Sequence, residues 1–356
     1  MNDTTERIRP PGDRAVRTML GICTAVLAVA ALYLASPVFA PLAFALFVIA
    51  LIWPLQRRLQ SRLPKLVALA ICILVTIVVF VAFGSLITWG FTRVGRSVAS
   101  DAARFQALYA QLTDWLEGHG IIVAGLWAEH FNVSWLIRLF QEITSRLNST
   151  LSFSVVVLIY VILGLLEVDD AAGKLRAMHR GELGPALLSG GAKTAAKLRR
   201  YMLVRTLMSV MTGLLIWLFA WGMGLQLAAE WGVIAFALNY IPFVGPLVAT
   251  VFPTLFAVAQ FNSWEMVLVV FACLNLIQFL VGSYLEPRIA GSALSMSPFL
   301  VLFAVFFWMF LWGIAGAFIG VPIVIAVVTL CDAYPSSRWV ATLLGGPIAE
   351  RAVNAR

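Results

Sequence analysis

Six uninterrupted apolar runs lie along this chain of 356 residues, and each reaches the roughly 18 residues that a bilayer-spanning helix needs. They cover residues 19–36, 38–55, 66–91, 148–167, 203–224 and 264–284. A soluble chain of this length could not bury a sequence that is 62% hydrophobic and only 12% charged. Because lipid offers the backbone no hydrogen-bond partner, spans of this kind must be helical. The sequence therefore predicts an all-α, polytopic membrane protein.

Two further apolar stretches, 231–261 and 298–331, are interrupted near their middles by glycine and proline. The expected backbone breaks are Pro242, Gly245 and Pro246 in the first stretch and Gly313, Gly316, Gly320 and Pro322 in the second. Each arm has about 15 residues, roughly 22 Å of helix, which falls short of a bilayer core of about 30 Å. We therefore predict about six full transmembrane helices plus two re-entrant helical hairpins, one opening from each face around a central site.

Lysine and arginine are concentrated in short polar segments between the apolar runs, which is a topology signal. The most basic segments are the tail 1–18, the connection after the second span, the connection 169–202 and the tail 332–356. The positive-inside rule places all of them, including both termini, in the cytoplasm. Segment 92–147 carries five basic and five acidic residues, and we predict that it is extracytoplasmic.

Apolar residues recur at helical spacing in residues 105–116 and again in 135–147, so the segment 92–147 is predicted to be a small helical insert. The remaining parts of the predicted organisation are a three-span scaffold (19–91), a fourth span (148–168) and a transport region that holds both hairpins (203–331). The basic connection 169–202 is expected to be a solvated helix pair beside anionic lipid headgroups.

Several function classes are disfavoured by the sequence. The basic residues do not interleave with exposed aromatic residues as they would on a nucleic-acid surface, so no nucleic-acid partner is expected. The four cysteines lie inside apolar runs without metal-ligand spacing, and the three histidines are scattered through polar loops. We therefore expect no metal, no cofactor and no enzymatic activity.

Polar side chains at membrane depth are the candidates for contact with a solute. The predicted substrate-binding residues are Asn239, Gln278, Asn275 and Ser209. Asn239 lies three residues before Pro242, where an unwound backbone and a side-chain amide could together coordinate a small polar solute. Asn275 and Gln278 are three residues apart and so share a helix face. The alternative for each is an interhelical hydrogen bond, and the sequence leaves it open.

Charged residues at the inner end of the last full span are candidates for a gate. Glu286 and Arg288 flank a proline that ends the span, where freed carbonyls and charges can meet a substrate. We predict that the two residues form a cytoplasmic gate pair. Arg205 is the third candidate, at the start of the span 203–224. Interfacial anchoring is the alternative for Glu286 and Arg288.

Three segments in order, NYIPFVGPLVA, QFLVGSYLEPRIAG and GAFIGVPI, give the chain a resemblance to the autoinducer-2 exporter family of bacterial permeases, and the resemblance covers essentially the whole chain. The matching positions are Tyr201, Arg205, Thr206, Ser209, Thr212, Gly213, Asn239, Ile241, Pro242, Gly245, Gln278, Gly282, Leu285, Glu286, Pro287, Arg288, Ile289 and Gly291. Many relatives have an acidic residue where this chain has Val281, and the asparagine that follows the motif glycine is Ser283 here. The resemblance implies a homo-oligomer, a pentamer.

The predicted function is an exporter of a small polar solute in the bacterial inner membrane, with an autoinducer-2-like signal molecule as a possible cargo. In this reading the two hairpins bind the solute, the N-terminal spans form the scaffold, and membrane lipids surround the chain. The sequence leaves two alternatives open, a sodium/proton-type antiporter and a non-transporting membrane scaffold.

Overall fold

The computed structural model of the chain describes residues 12–104, 106–107, 114, 117–118, 133–177, 183–261, 263–290 and 296–344. Within these ranges the secondary structure is helical and includes no strand, as the sequence predicted. In chain order the helices are α1 (Gly12–Leu34), α2 (Ser36–Gln60), α3 (Lys65–Ser100), α4 (Val133–Ala177), α5 (Leu183–Gly222), α6 (Ala228–Leu238), α7 (Val244–Phe261), α8 (Trp264–Gln278), a π-helical segment (Phe279–Leu285), α9 (Glu286–Ala290), α10 (Pro298–Ala333), a 3₁₀ turn (Pro335–Ser337) and α11 (Arg338–Leu344).

Eight of the described helical stretches are long and apolar enough to cross a membrane. They comprise α1 to α5, α7, α10, and the continuous run of α8, the π-helical segment and the first residues of α9. Many large apolar side chains on these helices are exposed, and the apolar part of α1 is not buried at all. Such a surface suits lipid rather than water. The chain is therefore a multi-pass membrane protein.

Two helices run past the boundaries that the sequence predicted. Residues 135–147 were expected to form a separate helix of the insert, but they are continuous with the fourth span in α4. Likewise α5 begins at Leu183 and continues without a break through the fifth span. Hydropathy marks only the apolar part of a helix, whereas the backbone can stay helical beyond it. The other expected insert helix, 105–116, lies almost entirely outside the described residues.

The first broken stretch folds back on itself. Helix α6 ends at Leu238, and α7 begins at Val244 after a turn in which Phe243 has a positive φ of 64°. The rings of Trp231 and Phe256 are 5.8 Å apart, although 25 residues of straight helix would separate them by roughly 37 Å. A Cβ atom at Gly245 would collide with the carbonyl oxygen of Leu238, so only glycine allows this close approach. We call the pair α6–α7 hairpin A, with its tip at residues 239–243.

The second broken stretch, α10, also reverses direction. Trp312 and Gly313 leave helical geometry, and Gly313 has a φ of 64°. A Cβ atom at Gly316 would collide with the carbonyl oxygen of Trp308, and one at Gly320 would lie 2.9 Å from the carbonyl oxygen of Ala304. Residues 304 and 320 would be roughly 24 Å apart in a straight helix, so the two arms lie side by side. We call α10 hairpin B, with its tip at residues 312–313.

Of the four predicted breaks in hairpin B, Gly313 lies in the observed break, as predicted, and the other three were placed too far along the chain. Gly316, Gly320 and Pro322 lie within the helical second arm, after the break at Trp312 and Gly313. The two glycines allow close packing of the arms instead of bending the backbone. In hairpin A, Pro242 lies in the break itself, while Gly245 and Pro246 belong to the first turn of α7.

Candidate functional site

One face of α5 carries a row of buried polar residues. Tyr201, Arg205, Ser209 and Thr212 follow one another at intervals of four, four and three residues, which keeps them on the same side of the helix. Ser209 and Thr212 are completely buried, and Arg205 is only 8% exposed. Below, "the polar face" means these four residues.

The tip of hairpin A lies against the polar face. The Nδ2 atom of Asn239 donates a hydrogen bond to Oγ of Ser209 at 3.3 Å, and the Tyr240 hydroxyl donates to Oγ1 of Thr206 at 3.1 Å. A very close contact between α5 and α6 supports this docking, because a Cβ atom at Gly213 would lie 2.8 Å from the carbonyl oxygen of Gly232. The predicted site residues Asn239 and Ser209, 30 positions apart in sequence, are thus brought together.

Hairpin B meets the same tip from another direction. The ring of Tyr240 stacks on Phe318 in the second arm of hairpin B, with centroids 5.5 Å apart. At the tip of hairpin B, the Trp312 indole N–H donates to the carbonyl oxygen of Leu32 at 3.0 Å, near the C-terminal end of α1. Tyr240 therefore touches both α5 and hairpin B.

A largely buried ion pair lies on the polar face, one turn from Tyr201. The Nη1 atom of Arg205 lies 3.1 Å from each carboxylate oxygen of Glu286. The π-helical segment directly precedes Glu286, whose backbone N–H donates to the carbonyl oxygen of Val281, five residues back. Pro287 lacks an N–H group, so it cannot continue the ordinary helical pattern at this point. The wider turn positions Glu286 toward α5, and π-helical turns of this kind are frequent at functional sites.

The predicted pair of Glu286 with Arg288 is corrected by this geometry. The guanidinium of Arg288 lies over the ring of Tyr284, 4.0 Å from its centroid, and the residue is exposed. Glu286 pairs with Arg205 instead, 81 residues away in sequence. Two of the three predicted gate residues are therefore in contact, and Arg288 is outside the contact.

Two buried polar atoms near the polar face have no hydrogen-bond partner among the described residues, namely Oγ1 of Thr212 and Nε2 of Gln278. The Tyr201 hydroxyl and the guanidinium of Arg205 lie close enough to interact with each other. Buried polar atoms in proteins are nearly always hydrogen-bonded, so a group of unsatisfied ones calls for an explanation. Donors and acceptors in this arrangement can bind a small polar molecule that brings its own hydroxyl or carbonyl groups.

The predicted residue Asn275 lies away from this site. It is exposed, and its Nδ2 atom donates to the carbonyl oxygen of Phe271 in its own helix at 2.8 Å. Gln278, predicted to share its face, is half-buried instead. Sequence reasoning also missed Tyr240, for which the only signal was its position two residues before Pro242. It missed the π-helical segment as well, which has no signature beyond Pro287. Across the described ranges, no group of three side chains is arranged to hold a metal ion.

Comparison with known proteins agrees with a transport role. A family model described as AI-2E family transporter matches residues 22–336. The AI-2 transport protein TqsA of Escherichia coli is 27% identical over 329 residues, which are 92% of this chain and 94% of that protein. A candidate transport protein of Borreliella burgdorferi is 30% identical over 212 residues, 59% of this chain and 58% of that protein. A candidate transport protein of Haemophilus influenzae is 23% identical over 344 residues, 92% of this chain and 96% of that protein.

The family match spans most of the chain, including both hairpins, the polar face and the π-helical segment. It confirms the resemblance drawn from the sequence motifs, and the names of the relatives indicate a transporter rather than an enzyme. This chain belongs to the AI-2E family of transporters.

Proposed function

We propose that the protein moves a small, uncharged polar solute across the bacterial inner membrane through a site between hairpin A and hairpin B. The observation that carries the proposal is the contact of Asn239, at the broken tip of hairpin A, with Ser209 on the polar face. One turn from Ser209 along the polar face, Oγ1 of Thr212 is buried without a described hydrogen-bond partner. A non-helical tip exposes backbone groups that lipid could not satisfy, so the tip suits a cavity that admits a polar molecule.

The two hairpins are proposed to be re-entrant and to enter the membrane from opposite faces. The open end of hairpin A is held at the C-terminal end of α3, where Arg93 pairs with Glu230 at 3.1 Å and Arg104 donates to the carbonyl oxygen of Gln260 at 3.0 Å. The tip of hairpin B lies instead beside Leu32. Short turns join α1, α2 and α3, so the C-terminal ends of α1 and α3 belong to one side of the bundle. These contacts support a model in which the open end of hairpin A and the tip of hairpin B lie on the same side of the bundle.

The chemistry of the site favours a solute without net charge. The tip and the polar face supply an amide and several hydroxyl groups, while Arg205, the one buried cation among the described residues, is already paired with Glu286. A charged solute would need an unpaired opposite charge at the site. AI-2 is the natural first probe, because TqsA is named as its transport protein.

The pair of Arg205 and Glu286 is proposed to act as a gate at the cytoplasmic end of the site. The basic segments at residues 1–18 and 169–202 support a cytoplasmic location for both termini and for this end of α5. Opening would separate Arg205 from Glu286 and rehydrate both. The segment 92–147 is proposed to be extracytoplasmic, and assembly into a homo-oligomer stays a prediction from the resemblance.

The experiment is efflux of AI-2 from liposomes that contain the purified protein. Asn239→Leu removes the amide at the tip and is expected to reduce efflux at least tenfold without loss of membrane insertion. Asn275→Leu is the matched control, since it makes the same change at an exposed position and is expected to stay within twofold of the wild type. Wild-type protein that releases no AI-2 beyond protein-free liposomes would contradict the proposal. Sodium-driven collapse of a pH gradient in the same liposomes would favour the antiporter alternative.

A further inference from the structure

A second group of unsatisfied polar side chains lies away from the hairpin tips. The atoms are Oε1 of Gln56, Nε2 of Gln60, Oγ1 of Thr194 and Oγ1 of Thr329, all buried and without a hydrogen-bond partner in the described part of the chain. The exposed fractions of Gln56, Thr194 and Thr329 are 1%, 8% and 3%. We call these four residues the inner polar cluster.

Packing of α5 against hairpin B brings the two threonines together. A Cβ atom at Gly190 would lie 3.1 Å from both Ala333 and Leu330, and Leu198 and Ile325 belong to one buried apolar cluster. Thr194 lies one turn from both Gly190 and Leu198 on the same face of α5. Thr329 is likewise one turn from both Ile325 and Ala333. Helix α5 and the second arm of hairpin B run antiparallel, with Gly190 beside Ala333 and Leu198 near Ile325. Thr194 and Thr329 are midway between these pairs, so we infer that they face each other.

Helix α2 brings Gln56 to the same level, with Gln60 one turn beyond it. The Nε2 atom of Gln56 donates to the carbonyl oxygen of Leu165 in α4 at 3.3 Å, and only its Oε1 atom is without a described partner. The Nη1 atom of Arg199 in α5 donates to the carbonyl oxygen of Ala50 at 2.9 Å, which sets α2 against α5. Gln56 lies six residues after Ala50 in α2, and Thr194 lies five residues before Arg199 in α5. Because the two helices run antiparallel, both residues are displaced toward the same end of the bundle. Phe44 of α2 stacks on Phe318 of hairpin B, with centroids 5.7 Å apart. Gln56 lies 12 residues after Phe44, and Thr329 lies 11 residues after Phe318, so the two residues are at a similar level in the bundle.

The inner polar cluster lies on the continuation of the polar face. Thr194 precedes Tyr201 by seven residues, two helical turns, and so falls on the same side of α5. From Thr194 to Thr212 this side of the helix extends for roughly 27 Å, close to the thickness of a bilayer core. Ser209, at the tip of hairpin A, is roughly 22 Å from Thr194 along the helix.

We propose that the inner polar cluster is a second binding station for the transported solute, between the gate and the cytoplasm. The proposal rests on the proposed function, because the same solute uses both places. Its four free atoms belong to amides and hydroxyls, and Arg199 is engaged by Ala50, so the cluster suits an uncharged solute that both donates and accepts hydrogen bonds. The station explains why buried polar atoms that cost stability are retained at the cytoplasmic end of this side of α5.

The test compares threonine variants in the liposome assay with AI-2 as the probe. Thr194→Val and Thr329→Val remove the hydroxyl with little change in shape, and each is expected to reduce efflux at least fivefold without lowering the melting temperature. Thr194→Ser and Thr329→Ser, which keep the hydroxyl, should restore efflux to within twofold of the wild type. Thr76→Val is the control, since Thr76 is 2% exposed but its hydroxyl donates to the carbonyl oxygen of Cys72 at 2.7 Å.

A second readout measures whether a polar reagent reaches the cluster. With the four native cysteines replaced by alanine, Thr194→Cys and Thr329→Cys should react with 2-(trimethylammonium)ethyl methanethiosulfonate, and AI-2 should slow the reaction. Thr76→Cys should not react. The inference is overturned if both cysteines are as inert as the one at position 76, or if both valine variants transport like Thr76→Val while Asn239→Leu still blocks efflux. Wild-type protein without AI-2 efflux would instead contradict the proposed function, and this inference with it.

Discussion

The ion pair between Arg205 and Glu286 gives a prediction with a worked magnitude. Two unit charges 3.1 Å apart attract by about 5 kcal/mol at an effective dielectric constant of about 20. Desolvation of both groups offsets much of this attraction, so the net contribution of the intact pair is small. Removal of one partner, in contrast, leaves the other as an uncompensated buried charge, which costs about 3–5 kcal/mol when burial is complete.

Burial of the two partners is unequal, and this predicts an asymmetry between the variants. The side chain of Arg205 is 10% exposed, whereas that of Glu286 is 23% exposed. Glu286→Gln strands the more deeply buried charge and is expected to lower the free energy of unfolding by about 3 kcal/mol. Arg205→Met strands a carboxylate that can be partly hydrated, so about 1–2 kcal/mol is expected. The double variant strands neither charge, so it should be less destabilised than either single variant.

The assay is titration with SDS of the purified protein in mild detergent micelles, followed by loss of helical circular dichroism. Glu230→Gln is the control, because Glu230 pairs with Arg93 at the same 3.1 Å but Arg93 has a side chain that is 57% exposed and stays in water. A loss below about 1 kcal/mol is expected there. The reasoning is refuted if Glu286→Gln costs no more than Arg205→Met, or if the effects of the two single variants simply add.

Two other predictions concern the hairpins and use the same titration. Gly316→Ala should lower the free energy of unfolding by about 2 kcal/mol or more, because its Cβ would collide with the carbonyl oxygen of Trp308, whereas Gly21→Ala, with no atom within 4 Å, should not destabilise the protein. Equal effects would contradict the reversal of α10. Tyr240→Phe should cost about 1 kcal/mol by removing the hydrogen bond to Thr206, and a loss under about 0.3 kcal/mol would show that this bond does not hold the tip.

The sequence predicted the helices and the first break well because both depend on local chemistry. Long apolar runs can cross lipid only as helices, and the chain turns at Pro242, as expected of a residue without an N–H group. Asn239 and Ser209 were also identified, since buried polar residues in an apolar stretch are conspicuous. Their contact with each other depends on tertiary packing, which no local pattern encodes.

The misplaced features all depend on contacts between distant segments. Glycine at 316 and 320 reads as a break in the sequence, but in the fold it makes room for the opposite arm of hairpin B. Glu286 was assigned to its sequence neighbour Arg288, while the π-helical segment turns it toward Arg205. Asn275 lies only one turn from Gln278 but is exposed, because that side of α8 carries no neighbouring helix in the chain as described.

The central claim is that a polar solute touches the tip of hairpin A on its way across the membrane. Its most direct test is the ratio of initial AI-2 efflux rates for Asn239→Leu and Asn275→Leu, measured in parallel at equal amounts of inserted protein. The account predicts a ratio below about 0.1, since loss of one or two buried hydrogen bonds is worth about 1.4 kcal/mol or more. A ratio near one would show that the solute does not pass the tip, and the account would be wrong.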